Sequence, residues 1–591
     1  MKTFQRHLLL HLILLLPFLP SRVTSSPRKQ AEALVKWKNS LSSLPSSMNS
    51  WSLTNVGNLC NWSSIVCNDA DGEVSEINLT NTKLNGTLAE LDFSQFLNLT
   101  VFNLARNNLN GTIPSAIYNL TKLTLLDLSF NYLKGEIRAE IERLTELQYL
   151  SFYSNYLNGS IPYQISNLQK VWYLALGSNY LQPADWSRFI AMPLLTYLDL
   201  SLNSLNSEFP EFIPKCRNLT FLDLSQNTFT GQIPELVFTN LGKLESLNLT
   251  NNHFQGPLSS NISKLSKLKN LHLAINPFRG SIPQEIGFIP GIEKLEIYQN
   301  SFEGKIPSSI GRLRKLSYLD LHKNSLNSHN PTLAENQLTG ELPLSLSNLK
   351  RLLDLGFSDN SLNGSVSPLL ISNWTSLTSL QLQKNDFSGK IPTEIGLLTN
   401  LSYLYLYQNN FSGPIPSEIG NLNKLSSMDL SRNQLSGPIP STVWTLTNLV
   451  ALQLFFNNLT GTIPPEIGNL ENLTIFDVNT NRLSGELPDT ISDLVNLVSF
   501  SVFTNNFSGS IPRNFGNLSL ALNSVSFSNN SFTGELPPEL CKGFKLKILT
   551  VNNNSFTGPL PECLRSCADL TRVRLDGNKF TGDITNAFRA H

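Results

Sequence analysis

The sequence predicts an α/β solenoid. Short strands stack into one curved parallel β-sheet on a concave face, return segments run behind it, and helices cap the N-terminal end. Three observations carry this. A unit of 24 residues recurs from Val74 to the end of the 591-residue chain. Inside each unit the apolar residues alternate as a half-buried strand requires. Directly ahead of the first unit stands a short segment with two cysteines and an amphipathic stretch, suited to covering an open end.

One copy reads Leu425-Ser-Ser-Met428-Asp-Leu430-Ser-Arg-Asn433-Gln-Leu435-Ser-Gly437-Pro-Ile439-Pro440, and the next copies start at Leu449 and Leu473. The pattern is L-x-x-L-x-L-x-x-N-x-L-x-G-x-I-P. Its leucines anchor the strand, and the x positions between them face the open side. Asn at position 9 sits at the turn out of the strand, where its amide can donate to backbone carbonyls and accept from a backbone N–H. Gly at position 13 permits a backbone that a side chain would block. Pro at position 16, kept from Pro114 to Pro561 in most copies, fixes φ where no ladder donor is needed. Counting starts from 74 to 570 gives 22, spaced mostly by 24. Strands about 4.8 Å apart then make a sheet roughly 100 Å along its arc. One step, 316 to 328, is only 12 residues. It reads as a missing half-repeat, with a weakened or absent strand at Ser328–Leu333 and a local break in the solenoid.

This pattern is that of a leucine-rich repeat. At its L-x-G-x-I-P positions the chain resembles the plant extracellular leucine-rich repeat family, over some 500 residues. That family includes receptor-kinase ectodomains, receptor-like proteins and polygalacturonase inhibitors. The resemblance implies a second short strand around G-x-I-P and a twisted right-handed superhelix.

The N-terminal elements follow in order. Residues 1–25 read as a signal peptide: Lys2, Arg6 and His7 precede the apolar run Leu8–Leu19, too short to span a bilayer. Residues 26–73 form the cap and residues 74–591 the repeats. Ser26 is placed to cap a helix with Pro27 at its first position and Leu34, Trp37 and Leu41 on one face. Cys60-Asn-Trp62-Ser-Ser-Ile-Val-Cys67 resembles the plant N-terminal cap, C-x-W-x-G-[IV]-x-C, which implies a Cys60–Cys67 disulfide. Ser64 stands where the family has Gly. Near the other end, Cys541 and Cys567 occupy return-segment positions of adjacent coils and suit a bridge; a Cys541–Cys563 bridge competes with it. Cys216 reads as a buried free thiol. At 570–591 Leu570, Val573, Leu575, Phe580 and Phe588 belong to a coil with no successor, an uncovered edge expected to fray.

Secretion also bears on the 20 N-x-[ST] sequons. A composition rich in Asn, Ser and Thr accounts for part of them. Asn110, Asn158, Asn218, Asn373, Asn458 and Asn506 are glycosylation candidates.

Chemistry is excluded by what the chain carries. Lys+Arg and Asp+Glu are 44 each, which leaves no basic stripe for nucleic acid. Seven His residues form no metal-spaced cluster with Cys. No nucleophile elbow, phosphate loop or kinase motif occurs. No cofactor or metal is implied, and the chain reads as a binding protein, not an enzyme.

Binding information lies at positions 3, 5, 7 and 8. Asp at position 5, followed by Leu and Ser, is the default and reads as structural. Departures stand out in two strips. The first is Gln381, Gln383, Tyr405, Tyr407, Gln453, Phe455 and Phe503, with Tyr403 and Phe456 either joining it or packing sideways. The second is Asn248, His272, Glu296, Tyr298, Asp320 and His322. Its two histidines lie two strands apart, about 10 Å by strand spacing, close enough to grip one extended peptide. A third cluster, Tyr149, Tyr153, Trp172 and Tyr173, is further N-terminal.

The resemblance implies the ligand-binding ectodomain of a plant cell-surface receptor kinase. Such a protein holds a secreted peptide on its concave face and recruits a leucine-rich repeat co-receptor kinase. An intact member continues with more repeats, a paired-Cys C-cap, one transmembrane helix and a kinase, so the sequence reads as a truncated form. The alternatives are a secreted inhibitor of pathogen wall-degrading enzymes and a stand-alone scaffold.

Overall fold

The computed structural model describes residues 25–43, 45–69, 72–324 and 338–588. All but the last residue of the expected signal peptide lies outside these, as does Ser328–Leu333. The chain divides into two units. The smaller holds the cap, the repeats to Asn206, and Pro210–Leu219; the larger holds Ser207–Phe209 and the chain from Thr220 onward.

In the smaller unit, helix Pro27–Ser40 begins as the sequence dictates. Ser26 Oγ accepts from the Lys29 N–H, and Pro27 occupies the first turn. Leu34 and Trp37 are fully buried. The Trp37 indole N–H donates to the Thr87 carbonyl at 2.9 Å, and Trp51 stacks on Trp62 at 6.0 Å. Gln30 is buried yet satisfied: its Oε1 accepts from the Val74 N–H and its Nε2 donates to the Gln95 carbonyl, both at 2.9 Å. The strand Ile65–Cys67 runs antiparallel to Val74–Asn78, closing the sheet edge that the first repeat would leave unpaired. A Cys60–Cys67 disulfide pins this hairpin. The parallel strands then follow in chain order, Val101–Asn103, Leu125–Asp127, Tyr149–Ser151, Tyr173–Ala175 and Tyr197–Asp199.

The larger unit repeats this scheme from Phe221–Asp223 to Arg572–Arg574, each strand paired to the next in parallel register. Behind the strands most return segments are single 3-10 turns such as Ser417–Asn421. Glu235–Asn240 and Pro368–Asn373 are α-helical. Around the Gly-x-Ile-Pro positions a second short strand forms in many coils, such as Ser361–Ser365 and Asp386–Gly389.

The position-9 asparagines form a buried ladder. Asn131 Nδ2 donates to the carbonyls of Leu104, Leu128 and Ser129 at 3.0–3.1 Å, and its Oδ1 accepts from the Leu109 N–H at 3.0 Å. One amide thus satisfies four backbone groups in two coils, which a β-turn of this depth could not leave unpaired. The residue just before it is left-handed in coil after coil, with φ from +49° to +58° at non-glycine residues from Arg106 to Asn553. Strain of this sort persists only where the surroundings over-determine it. Here the following Asn, and often an Asp two residues ahead of the turn, supply that. Asp429 Oδ1, for example, accepts from the Ser431 N–H at 2.9 Å, an Asx-type turn.

The 12-residue irregularity is resolved differently from the sequence expectation. Tyr318–Asp320 pairs directly with Asp354–Gly356, and Asn360 Nδ2 reaches the Leu321 carbonyl at 3.1 Å. The strand of the coil begun at 316 is therefore followed in the ladder by that of the coil begun at 352. The irregularity is added length within one coil, not a missing half-coil, and the described ladder carries no break there. The local scar is in the asparagine ladder: Oδ1 of Asn324 and of Asn360 are buried without a partner.

Cys541 is bonded to Cys567, leaving Cys563 free and half-buried. Cys216 is fully buried and free; its sulfur accepts from the Met192 N–H at 3.3 Å, and burial pushes its thiol pKa up.

Candidate ligand-binding face

Position 5 of the larger unit forms one register-aligned row. Asn248, His272, Glu296 and Asp320 are successive partners across the ladder. After Gly356 the row continues through Gln381, Tyr405, Asp429, Gln453 and Asp477. Both strips read from sequence thus lie on the same sheet face.

In the histidine strip the polar groups are already paired with one another. His272 Nδ1 lies 2.7 Å from Glu296 Oε2, and His322 Nδ1 lies 2.6 Å from Asp320 Oδ1. Asn248 Nδ2 donates to Asp223 Oδ2 at 2.9 Å. Tyr298 stacks on His322 at 4.5 Å, and burial pushes its phenol pKa up. Asp320 requires a correction. It is buried, and its Oδ1 accepts the His322 N–H and lies against the ring nitrogen, so it orients His322 instead of being presented on the face. Gly356 follows it in the row, where an added Cβ would meet Asp320 Oδ1 at 2.7 Å.

In the aromatic strip Tyr405, Tyr407, Phe455, Gln381, Gln453 and Phe503 are half-buried, while Tyr403 and Phe456 are 46% and 48% exposed. Those last two therefore join the accessible patch. Tyr403 lies 6.2 Å from Tyr405, and the Arg432 guanidinium sits 5.1 Å from the Phe456 ring. Gln453 Nε2 donates to Asp429 Oδ2 at 3.0 Å. Gln383 is the second correction: it is buried, its Oε1 without a partner, since the position-7 side chain is covered by its lateral neighbours. Burial also pushes the carboxyl pKa values of Asp429 and Asp477 up. Beside the strip, Asp359, Lys384, Gln408 and Arg432 help line a polar hollow of about 740 Å³, with Lys384 paired to Asp359 at 2.9 Å.

A hollow that the sequence reading missed lies further along the same face. It measures about 360 Å³ and is lined by Asp477, Phe503, Ser526, Thr550, Arg572 and Arg574 among others. The two guanidiniums are exposed on adjacent odd positions of one strand. Planar forks of this kind bind carboxylates in two-point fashion. The signal was visible: Arg-Val-Arg stands where the neighbouring copies carry Ser-Val-Ser and Ile-Leu-Thr.

Among the glycosylation candidates, Asn110, Asn158, Asn458 and Asn506 are exposed, whereas Asn218 and Asn373 are half-buried and donate to the Pro193 and Leu369 carbonyls.

Comparison with known proteins agrees with this architecture. The leucine rich repeat N-terminal domain matches residues 27–68, and the Leucine Rich Repeat model matches segments from 98–120 to 545–567. MDIS1-interacting receptor like kinase 2 of Arabidopsis thaliana is 34% identical over 106 residues, 17% of this chain and 10% of the relative. The chain thus aligns with about a tenth of that relative's length. Among solved structures, the plant peptide hormone receptor RGFR1 in complex with RGF2 is 34% identical, covering 89% of this chain and 84% of that one, at a TM-score of 0.77. The Arabidopsis receptor kinase HAESA, in complex with the peptide hormone IDA and the co-receptor SERK1, is 28% identical, with 94% of each chain covered and a TM-score of 0.79. With its cap, its coils and a relative this similar over most of its length, the chain belongs to the leucine-rich repeat family and is similar to solved plant receptors of that fold.

Proposed function

We propose that this chain is the ligand-recognition region of a plant cell-surface receptor kinase and holds a secreted peptide, extended, along the open face of its larger unit. The observation that carries this is the register-aligned row from Asn248 to Asp477, which departs from the repeat default at Asn248, His272, Glu296, Gln381, Tyr405 and Gln453. Backbone packing dictates none of those side chains, and the exposed aromatics Tyr403 and Phe456 beside them are what binding centres use. Arg572 and Arg574 add a receptor for a carboxylate on the ligand. The RGFR1 and HAESA structures, each with a peptide hormone bound, support the peptide class, and SERK1 on HAESA supports a co-receptor. A kinase and a transmembrane helix in the parent protein belong to the same proposal.

The test is a titration of the secreted chain against a panel of synthetic secreted plant peptides. For a peptide that binds, Tyr405→Ala with Phe455→Ala should weaken affinity by about 2 kcal/mol or more, roughly 30-fold, without unfolding the stack. His272→Ala with Tyr298→Ala probes the other strip. Unchanged affinity in both double variants removes the open-face reading.

A further inference from the structure

A row of tyrosines on the smaller unit remains unexplained by peptide recognition. Tyr132, Tyr156 and Tyr180 each follow the ladder asparagine in three successive copies. They are 48%, 47% and 59% exposed and stack on one another at 5.9 and 6.0 Å. The next copy has Ser204 at this position, so the stack ends at Tyr180. A hollow of about 300 Å³ lies along it, lined also by Ser154, Ser178 and Leu202. Exposed aromatic rows on secreted surfaces normally have an occupant.

The strand register names one. Asn110, of the sequon Asn110-Gly-Thr112, is the lateral partner of Tyr132. Asn158, of Asn158-Gly-Ser160, is the lateral partner of Tyr180. Asn158 also stands two residues beyond Tyr156 in one strand, so the two share a face. Both asparagines are exposed. Each sequon is therefore built against a ring.

We infer that Asn110 and Asn158 carry N-linked glycans whose first sugars lie on this tyrosine row and cover it. The inference rests on the extracellular reading above. In the modification, the asparagine Nδ2 forms a C–N bond to the anomeric carbon of a lipid-linked oligosaccharide diphosphate. The C–O bond to the diphosphate breaks, and the diphosphate takes the amide proton. A pyranose ring offers an apolar C–H face to a phenol ring and hydroxyls to Ser154 and Ser178. The larger unit contains its own control. Asn363, in Asn363-Gly-Ser365, is exposed at the equivalent position, but its lateral partner is Asp386 and the residue two before it is Ser361.

The test uses the full chain secreted from mammalian cells. Glycopeptide mass spectrometry reads occupancy at Asn110, Asn158 and Asn363, and nitration by tetranitromethane reads each tyrosine before and after enzymatic removal of N-glycans. Asn110 and Asn158 should be occupied. Tyr132 and Tyr180 should nitrate about threefold or more slowly while the glycans are present, the ratio a contact of ordinary aromatic strength gives. Asn158→Gln should release Tyr180 and leave Tyr132 slow; Asn110→Gln should do the reverse. An empty Asn110 or Asn158, or nitration indifferent to the glycan, overturns the inference. A failed peptide titration leaves this outcome untouched, so the two readings fail separately.

Discussion

The two units are written in the same 24-residue pattern but differ in one buried column and in the side chains they present beside it. In the smaller unit the buried column after the ladder asparagine is leucine throughout, Leu84, Leu109, Leu133, Leu157, Leu181 and Leu205. Outside that column, Tyr149, Tyr173 and Tyr197, half-buried, stack at 4.2 Å on the strand face, and the exposed Tyr132, Tyr156 and Tyr180 flank the second ladder. In the larger unit the same buried column mixes leucine with phenylalanine, and Phe229, Phe254, Phe278 and Phe302 stack in succession at 6.0–6.4 Å. Its open row carries His, Glu, Gln and Tyr. The difference teaches that the buried column asks only for an apolar side chain that fills its layer. Identity at the exposed rows is free of packing, so departures there report on partners.

The largest effect that could break this comparison is in the column. Phe254→Ala removes a fully buried ring and should cost about 3–5 kcal/mol. Tyr156→Ala, on the outer row, should stay within about 1 kcal/mol. Denaturant midpoints for the two variants decide it, read beside local hydrogen exchange because solenoids need not unfold in one step. Equal losses would mean that the outer tyrosines are structural after all.

Next in size is the coil that begins at Leu570. Leu546, Leu549 and Val551 are fully buried, whereas Leu570, Val573 and Leu575 one coil later are only half-buried and line a hollow of about 690 Å³. Amides at 572–576 should exchange roughly 100-fold faster than those at 548–552. Equal protection would show this coil to be as firm as the one before it.

Acidity should separate the units more gently. Burial raises the carboxyl pKa of Asp429 and Asp477 above that of the unfolded chain. Between the unfolded and folded values the folded state binds more protons, so stability falls as pH rises through that window and is regained on acidification. Asp477→Asn keeps an acceptor for the Asn479 N–H, 3.1 Å away, and carries no charge. At pH 7 its Tm should lie about 1–3 °C above the parent's, with the gap closing toward pH 4. A gap that widens on acidification would reverse the sign of this argument.

Much of the fold was legible because packing dictates it. The strand leucines, the ladder asparagines and the Ser26-Pro27 helix start each have one physical task, and the residue type reveals it. Gly at position 13 was legible for the same reason: Gly437 has φ of +75°. The left-handed residue before the ladder asparagine was not, because it is held by hydrogen bonds and carries no glycine to mark it. The site was half legible. Register placed His272 and Tyr405 correctly on the open face, but alternation alone cannot tell a presented side chain from one covered by its neighbours, as Gln383 and Asp320 are. The 12-residue step misled because Asn336 and Leu338 imitate a fresh start, whereas the ladder uses Leu338–Gly340 as the second strand of the coil begun at Leu316.

The smallest prediction lies in the cap, where one residue departs from the family pattern. Ser64 takes the place of glycine in the Cys60–Cys67 segment and has φ of +69°. Its carbonyl accepts from the Asn78 N–H at 3.0 Å, so the antiparallel pairing that seals the first repeat holds it in that conformation. A left-handed L-residue costs about 1–2 kcal/mol, and glycine would relieve this at an entropic cost of roughly 0.5–1 kcal/mol in the unfolded chain. Ser64→Gly should therefore stabilise the smaller unit by no more than about 1 kcal/mol, seen as slower exchange at Ile65–Cys67 and unchanged exchange in the larger unit. Ser64→Val should do the opposite and by more, since a β-branched side chain tolerates this region worst. If Ser64→Gly weakens the cap, the serine side chain is contributing more than its backbone strain takes away, and the family's glycine is not explained by φ.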